Sequence, residues 1–338
     1  MTLTWRTQPP YGGSNLKPGI SESYKKRDPG CIRDGQIICC VDGCRHWLIP
    51  RRQKSKDFTF CPEHNISLSP STYVHQAAKQ NLIVYPELFV TIHKTENRLT
   101  NENSEDALSW NVFVGLYALG ALREVFYAMT NLQPESEPEL YLWSNRIHHQ
   151  TCSRWSKLDE EQIRKSLEPK KRIRTEPDIV LRIPGRALVF IEAKFRSPNS
   201  RYNKKENRFC IHDYLKAYPV KPGHLDPLNR DWIGRSAPRA ILEQLCRNAM
   251  LAHWVAEPNE QIFLINLVSA DFETNIEQEF KTHLARNQIT FRRFTWESIA
   301  MLCAVQHPEA EPLRKYFEDK TYSLRPAFPS LRSPSNLC

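Results

Sequence analysis

A mixed α/β domain preceded by a small metal-binding module is the fold class this sequence predicts, and three observations predict it. From Ser104 onward the chain alternates helical and strand patterns. Two strand-like runs, DIVLRI and ALVFIEAKF, are joined by the short turn Pro184-Gly185-Arg186. Ahead of them Cys31, Cys39, Cys40, Cys44 and Cys61 crowd together, while the other five cysteines are scattered singly.

Length and punctuation divide the 338 residues. Residues 1–30 mix Gly, Pro, Ser and charge without periodicity and read as a flexible arm. Residues 31–75 form the cysteine-rich module, 76–100 a connecting segment, 101–320 the α/β domain and 321–338 a flexible tail. Ser104 is an N-cap followed by the acidic first turn Glu105-Asp106, and Leu108, Val112, Leu116 and Leu119 share one helical face, with Glu105 a turn earlier. ELYLWSN alternates like a strand, and the hairpin follows. After a basic insert from Arg196 to Arg235 come the helix PRAILEQLCRNAMLAHWV, the strand QIFLINLVS, a helix around NIEQEFKTHLARN, the strand ITFRRF and a last helix, WESIAMLCAV. The order of helix, three strands, helix and strand (αβββαβ) describes a mixed sheet flanked by helices.

The hairpin carries the chemistry. Side chains alternate faces, so Ile179, Leu181 and Ile183 with Ala187, Val189, Ile191, Ala193 and Phe195 make an apolar face that must pack on a helix. The other face holds Asp178, Val180, Arg182, Leu188, Phe190, Glu192 and Lys194. With Ile183 paired to Ala187, Asp178 falls opposite Glu192, their Cβ atoms roughly 5 Å apart. Two like charges so placed are tolerable with a cation between them, and hard oxygen ligands suit Mg²⁺ or Mn²⁺. Lys194, on the same face, then stands where an ammonium orients water or meets charge developing on a phosphate. The plainer alternative is a structural Glu192–Lys194 ion pair at a strand end, with Asp178 starting a turn after Pro177.

These residues resemble the PD-(D/E)xK nuclease superfamily, which includes many restriction endonucleases and recombination nucleases. Pro177-Asp178 and Glu192-Ala193-Lys194 match its motif, and the element order matches its core, over about Thr100 to Val305. The resemblance implies a restriction-endonuclease-like fold and metal-dependent hydrolysis of DNA phosphodiesters. Asp178 and Glu192, with the carbonyl of Ala193, would hold one or two Mg²⁺ (or Mn²⁺) while Lys194 positions the attacking water, without a covalent intermediate. It also implies an acidic residue from the preceding helix, for which Glu105 is the best-placed candidate beside Glu102 and Asp106. A polar residue on the following helix is implied too: Gln244, with Asn248 four residues on. Cutting both strands implies two sites, hence a homodimer.

In the module, Cys40-x3-Cys44 and Cys61-x2-His64 are separated by sixteen residues. Two ligand pairs across a hairpin-sized loop suit a structural Zn²⁺, with Cys40, Cys44, Cys61 and His64 as ligands and Cys39, Cys31 and His46 as competitors. The intervening loop holds Arg45, Trp47, Arg51, Arg52 and Lys54, a basic run with an aromatic that suits DNA phosphates. Lys170, Lys171 and Arg172 before the hairpin, and Lys204 and Lys205 after it, are further candidates for DNA backbone contact.

The formal charge of +9 and pI near 9.0 fit a polyanionic partner. No run of 18 apolar residues and no signal-peptide pattern occur, so the expected location is the cytoplasm. No G-x4-GK[ST] motif is present, so any motor would be a separate chain. The expected function is a DNA endonuclease of the restriction or defence type. A repair or recombination nuclease, and a zinc-containing DNA-binding protein with an inert nuclease-like domain, are the alternatives.

Overall fold

The computed structural model describes residues 32–51, 57–69, 72–88, 92, 99–148, 151–159, 176–195, 197–199, 201–202, 220–221, 223–229, 241–322 and 325–332. The chain divides into two compact units, one comprising residues up to Ala121 and from Glu297 onward, the other Leu122–Trp296. The division falls inside the stretch 101–320 that the sequence suggests as one domain.

In the first unit β1 (Ile32–Arg33), β2 (Gln36–Ile38) and β3 (Trp47–Leu48) form an antiparallel sheet in that order, and β4 (Ile66–Leu68) pairs with β5 (Tyr73–His75). Helix α1 (Glu105–Leu119) starts where expected, with Ser104 Oγ accepting from the Ala107 N–H at 3.1 Å, and ends at Gly120, whose φ of 70° suits glycine. Nearly all of it is buried, because Trp110, Phe113 and Val114 make it apolar around its circumference. Just ahead of it Glu102 is fully buried, its carboxylate 3.9 Å from Lys320 Nζ and 3.7 Å from His75 Nε2, and Lys320 also donates to the Glu102 carbonyl.

The second unit opens with α2 (Leu122–Thr130) and continues through β6 (Glu139–Leu142), β7 (Asn145–His148), β8 (Thr151–Arg154), β9 (Ile179–Ile183) and β10 (Ala187–Ala193). A small pair, β11 (Arg201–Tyr202) with β12 (Ile241–Leu242), precedes α3 (Glu243–Val255), β13 (Gln261–Val268), α4 (Ile276–Lys281) and β14 (Thr290–Thr295). The seven main strands form one mixed sheet in the order β14-β13-β10-β9-β6-β7-β8, parallel from β10 to β14 and antiparallel from β10 to β8. The mixed α/β class is as read from the sequence. Three details differ. NRIHHQTCSR carries too little apolar alternation to announce the β7–β8 hairpin. The helix expected from Pro238 begins at Glu243, because Ile241 and Leu242 pair with β11 instead. The helix around NIEQEFKTHLARN spans only Ile276–Lys281.

Both faces of the hairpin are buried, not one. Helix α3 covers the face with Val180, Leu188 and Phe190, packing Leu245, Cys246, Ala249, Ala252 and Val255 there. Arg182 tolerates burial on that face because Nε donates to Glu260 Oε1 at 2.7 Å and Nη2 to Glu257 Oε1 at 2.5 Å.

Near the end of α3, His253 is buried with its ring 5.4 Å from that of His224, beside a cleft of about 470 Å³. Burial, then the neighbouring His224 and Lys221, push its pKa down to about 4 against a weaker opposing pull from Asp226. A histidine depressed in the folded state contributes stability above its ordinary value of 6.5, and that stability is lost as pH falls through about 4. Urea unfolding from pH 7 to 4 is expected to show a shallower acid loss for His253→Asn than for the wild type. Equal slopes would remove His253 as the cause.

The first unit resumes with most of α5 (Trp296–Gln306), then α6 (Glu311–Asp319) and the pair β15 (Thr321–Tyr322) with β16 (Arg325–Pro326). Among the described residues no single helix is long and apolar enough to cross a membrane.

Candidate functional site

The hairpin register follows the expected pairing: Ile183 with Ala187 through Ile179 with Ile191. The turn between them is closed by the Arg186 N–H donating to the Ile183 carbonyl at 3.0 Å, with Gly185 at φ 71°. One step further, Asp178 meets the end of β10, where its Oδ2 accepts from the Ala193 N–H at 3.0 Å. On β10, Glu192 is 2% exposed, with Oε1 2.6 Å from Lys194 Nζ and Oε2 accepting from Asn248 Nδ2 at 2.8 Å. Two carboxylates therefore converge on one strand end, each steadied by a donor rather than facing the other bare.

The backbone holds this end firmly. The Lys194 N–H donates to the Leu267 carbonyl at 2.8 Å, and the Trp296 indole donates to the Lys194 carbonyl at 3.0 Å. The Asp178 carbonyl accepts from the Trp143 N–H at 3.2 Å. Trp143 and Ser144, the two-residue β6–β7 turn, sit at φ 48° and 64°. Both are left-handed without being glycine, a strain on the order of 1 kcal/mol or more each that the surrounding packing sustains.

Beyond Glu192 the polar character continues across the sheet. Asn266 on β13 is its Cα partner and is fully buried. Asn266 Oδ1 accepts from Asn199 Nδ2 at 2.8 Å, and its Nδ2 donates to Glu273 Oε2 at 2.8 Å. Glu273 also accepts from the Asn199 backbone at 2.8 Å and side chain at 2.7 Å, clamping the segment that follows Lys194. Sequence reading missed this network. Its signal was Asn266 itself, one amide inside the apolar run QIFLINLV.

The sequence candidates are placed as follows. Asp178, Glu192, Ala193 and Lys194 come together. The hydrogen bond from α3 comes from Asn248, with Gln244 half-buried one turn earlier. Glu105 is the half-buried first residue of α1 in the other unit, and Glu102 is committed to Lys320 and His75.

In the N-terminal module, Cys39, Cys44, Cys61 and His64 bring their ligand atoms within 4.8 Å of one another. Cys44 and Cys61 Sγ are 3.7 Å apart, and His64 Nδ1 is 3.3 Å from Cys61 Sγ and 3.7 Å from Cys39 Sγ. A tetrahedron with Zn–S bonds near 2.3 Å has S···S edges of about 3.8 Å, so the donor set fits a metal such as zinc. Two turns build it. Cys44 donates its N–H to the Val41 carbonyl across Gly43, at φ 76°, and Asn65, at φ 51°, closes the Cys61–His64 turn by donating to the Cys61 carbonyl at 2.8 Å.

The expected ligand Cys40 is thereby corrected to Cys39. Cys39 Sγ is the sulfur that stands 3.7 Å from His64 Nδ1, on a turn that the Cys39 N–H closes by donating to the His46 carbonyl at 2.8 Å. Cys40 is fully buried next to Cys39, in the same apolar cluster as Leu48, Ile66, Leu68 and Tyr73. His46 pairs with Glu63 at 2.8 Å, and Cys31 lies outside the described residues. A hydrogen bond with Cys40, then burial, pushes the Cys39 thiol far up, and burial pushes Cys44 up to about 12 and Cys61 upward. Burial holds His64 below its ordinary value, as the neutral imidazole that a metal accepts.

Of the basic candidates, Arg45 and Arg51 are exposed and Trp47 is 37% exposed. Arg52, Lys54, Lys170, Lys171, Arg172, Lys204 and Lys205 lie outside the described residues. Comparison with known proteins found no matching family model, no matching curated protein and no matching solved structure.

Proposed function

We propose that this chain is a divalent-metal-dependent endodeoxyribonuclease with a restriction-endonuclease-like core and a zinc-bearing module that helps hold DNA. The observation that carries the reading is the strand end where Asp178, Glu192 and Lys194 meet, built on a register that leaves two carboxylates and an ammonium side by side. A fold gains little from burying such a set, whereas phosphodiester hydrolysis uses each member.

On this reading Asp178 and Glu192, with the Ala193 carbonyl, would hold Mg²⁺ or Mn²⁺. The ion supplies charge neutralisation at the phosphate and a more acidic bound water. Asn248 fixes one oxygen of Glu192, so the carboxylate keeps its orientation while the other oxygen stays toward Lys194. Lys194 carries a positive charge to the place where the phosphate under attack would gather negative charge, and it can hold a water by donation. Its carbonyl and N–H are both tied to the core, so the side chain works from a fixed root.

The test is nicking and linearisation of supercoiled plasmid by the zinc-loaded protein with Mg²⁺ or Mn²⁺, beside a reaction lacking divalent ion and the Asp178→Ala variant. Metal-dependent cutting, lost in the variant, is expected. The partners that both Glu192 oxygens already have favour a second reading, a DNA-binding protein with an inert nuclease-like domain. Folded, DNA-binding protein that cuts nothing would establish that one instead.

A further inference from the structure

The exposed edge of the metal module carries a pattern that plain phosphate contact does not explain. Along the chain through β3, Arg45, Trp47, Ile49 and Arg51 are all exposed, while Leu48 and Pro50 between them are buried. The four exposed side chains thus follow one another along the chain around β3, which itself spans Trp47–Leu48. The row is rigid. The Ile49 N–H donates to Thr59 Oγ1 at 2.8 Å, the Ile49 carbonyl accepts from the Thr59 N–H at 3.1 Å, and the Arg51 N–H donates to the Leu68 carbonyl at 2.6 Å. Arg51 is further steadied with its guanidinium carbon 5.3 Å from the centre of the Phe58 ring.

The stretch is basic: from Arg45 to Lys56 there are five arginines and lysines and no acidic residue, and the nearby Glu63 is held by His46 at 2.8 Å. At the centre sits an indole, 37% exposed, next to Ile49 at 38%. A basic row attracts any nucleic acid, but an exposed indole gains from burial only against a flat apolar partner. A paired duplex offers groove edges and phosphates along its side, and unpaired bases offer their faces. The described residues of the module, 32–51 and 57–69, are strands and turns with no helix to enter a major groove.

We propose that this row binds an unpaired DNA strand, with Trp47 stacking on a base and Arg45 and Arg51 holding phosphates to either side. The choice of DNA as partner rests on the nuclease reading. The substrate would then be DNA with a single-stranded end, flap or gap, which points to processing of ends or branches rather than cutting of intact duplex.

The experiment is fluorescence anisotropy of labelled oligo(dT) and of a blunt duplex of equal length, with zinc-loaded full-length protein and no Mg²⁺, so that cleavage plays no part. Oligo(dT) is expected to bind more tightly than the duplex. Trp47→Ala is expected to weaken oligo(dT) at least about tenfold, or about 1.4 kcal/mol, with most affinity kept in Trp47→Phe and little change for the duplex. Trp47→Leu keeps the apolar bulk without the aromatic face and should behave as Trp47→Ala does. Zinc content confirms that each variant is folded at the module. Unchanged oligo(dT) binding in Trp47→Leu, or equal weakening of both DNAs, would overturn the proposal. Cutting is scored separately, with Mg²⁺, on plasmid and on a labelled duplex carrying a single-stranded flap, so a chain that stacks without cutting either loses only the nuclease reading.

Discussion

Cys39→Ser is expected to abolish stoichiometric zinc binding and to unfold the module, while Cys40→Ser keeps the metal. Elemental analysis and limited proteolysis between residues 32 and 69 provide the measurement. The effect should be large because the module's apolar floor is one small cluster, and structural zinc in peptides of this kind contributes roughly 10–16 kcal/mol of apparent binding energy at neutral pH. The two serine variants separate the ligand from its neighbour: retention of zinc by Cys39→Ser with loss in Cys40→Ser would reverse the assignment. The raised thiol values add a pH signature. Without metal, stability present below the ordinary thiol value of 9.0 is lost as pH climbs from there toward about 12. With metal the slope reverses, since binding releases the thiol protons and tightens as pH rises.

Lys194→Ala should cost at least about a hundredfold in cutting rate, as removal of one well-placed donor does at other sites. It should also destabilise the metal-free protein by about 3–5 kcal/mol, because Glu192 is left charged and buried without its partner. The informative observation is what Mg²⁺ does next. If Glu192 is a metal ligand, added Mg²⁺ replaces the missing ammonium and recovers much of the lost stability in urea unfolding. A variant that Mg²⁺ leaves as unstable as before identifies Glu192 and Lys194 as an ordinary buried ion pair and argues against the metal site.

Much of the hairpin was legible because strand geometry is local. Alternation, a three-residue turn and the pairing of Ile183 with Ala187 suffice to bring Asp178 to the end of β10, where it meets the Ala193 N–H. The helical N-cap at Ser104 was legible for the same reason. What failed required knowledge of what lies across the sheet or the module. Cys40 rather than Cys39 looked correct by spacing, and only the folded turn decides which sulfur comes to His64. Asn248 rather than Gln244 reaches Glu192 because the phase of α3 on the sheet, set by the packing of Leu245, Ala249 and Ala252, selects among polar positions one turn apart. The Asn199–Asn266–Glu273 network joins residues far apart in sequence, and no local pattern ties them together.

The short pairing of Arg201 and Tyr202 with Leu242 and Ile241 draws together the two ends of the long insert that follows β10. A loop closed at its neck is nearly indifferent to its own length, since doubling it adds only about 0.6 kcal/mol of closure entropy. Glu273 holds Asn199 just before that neck, and within the insert Leu228 is buried in the core that α3 covers. Length can therefore change between the neck and Leu228 without displacing Glu192 or Lys194.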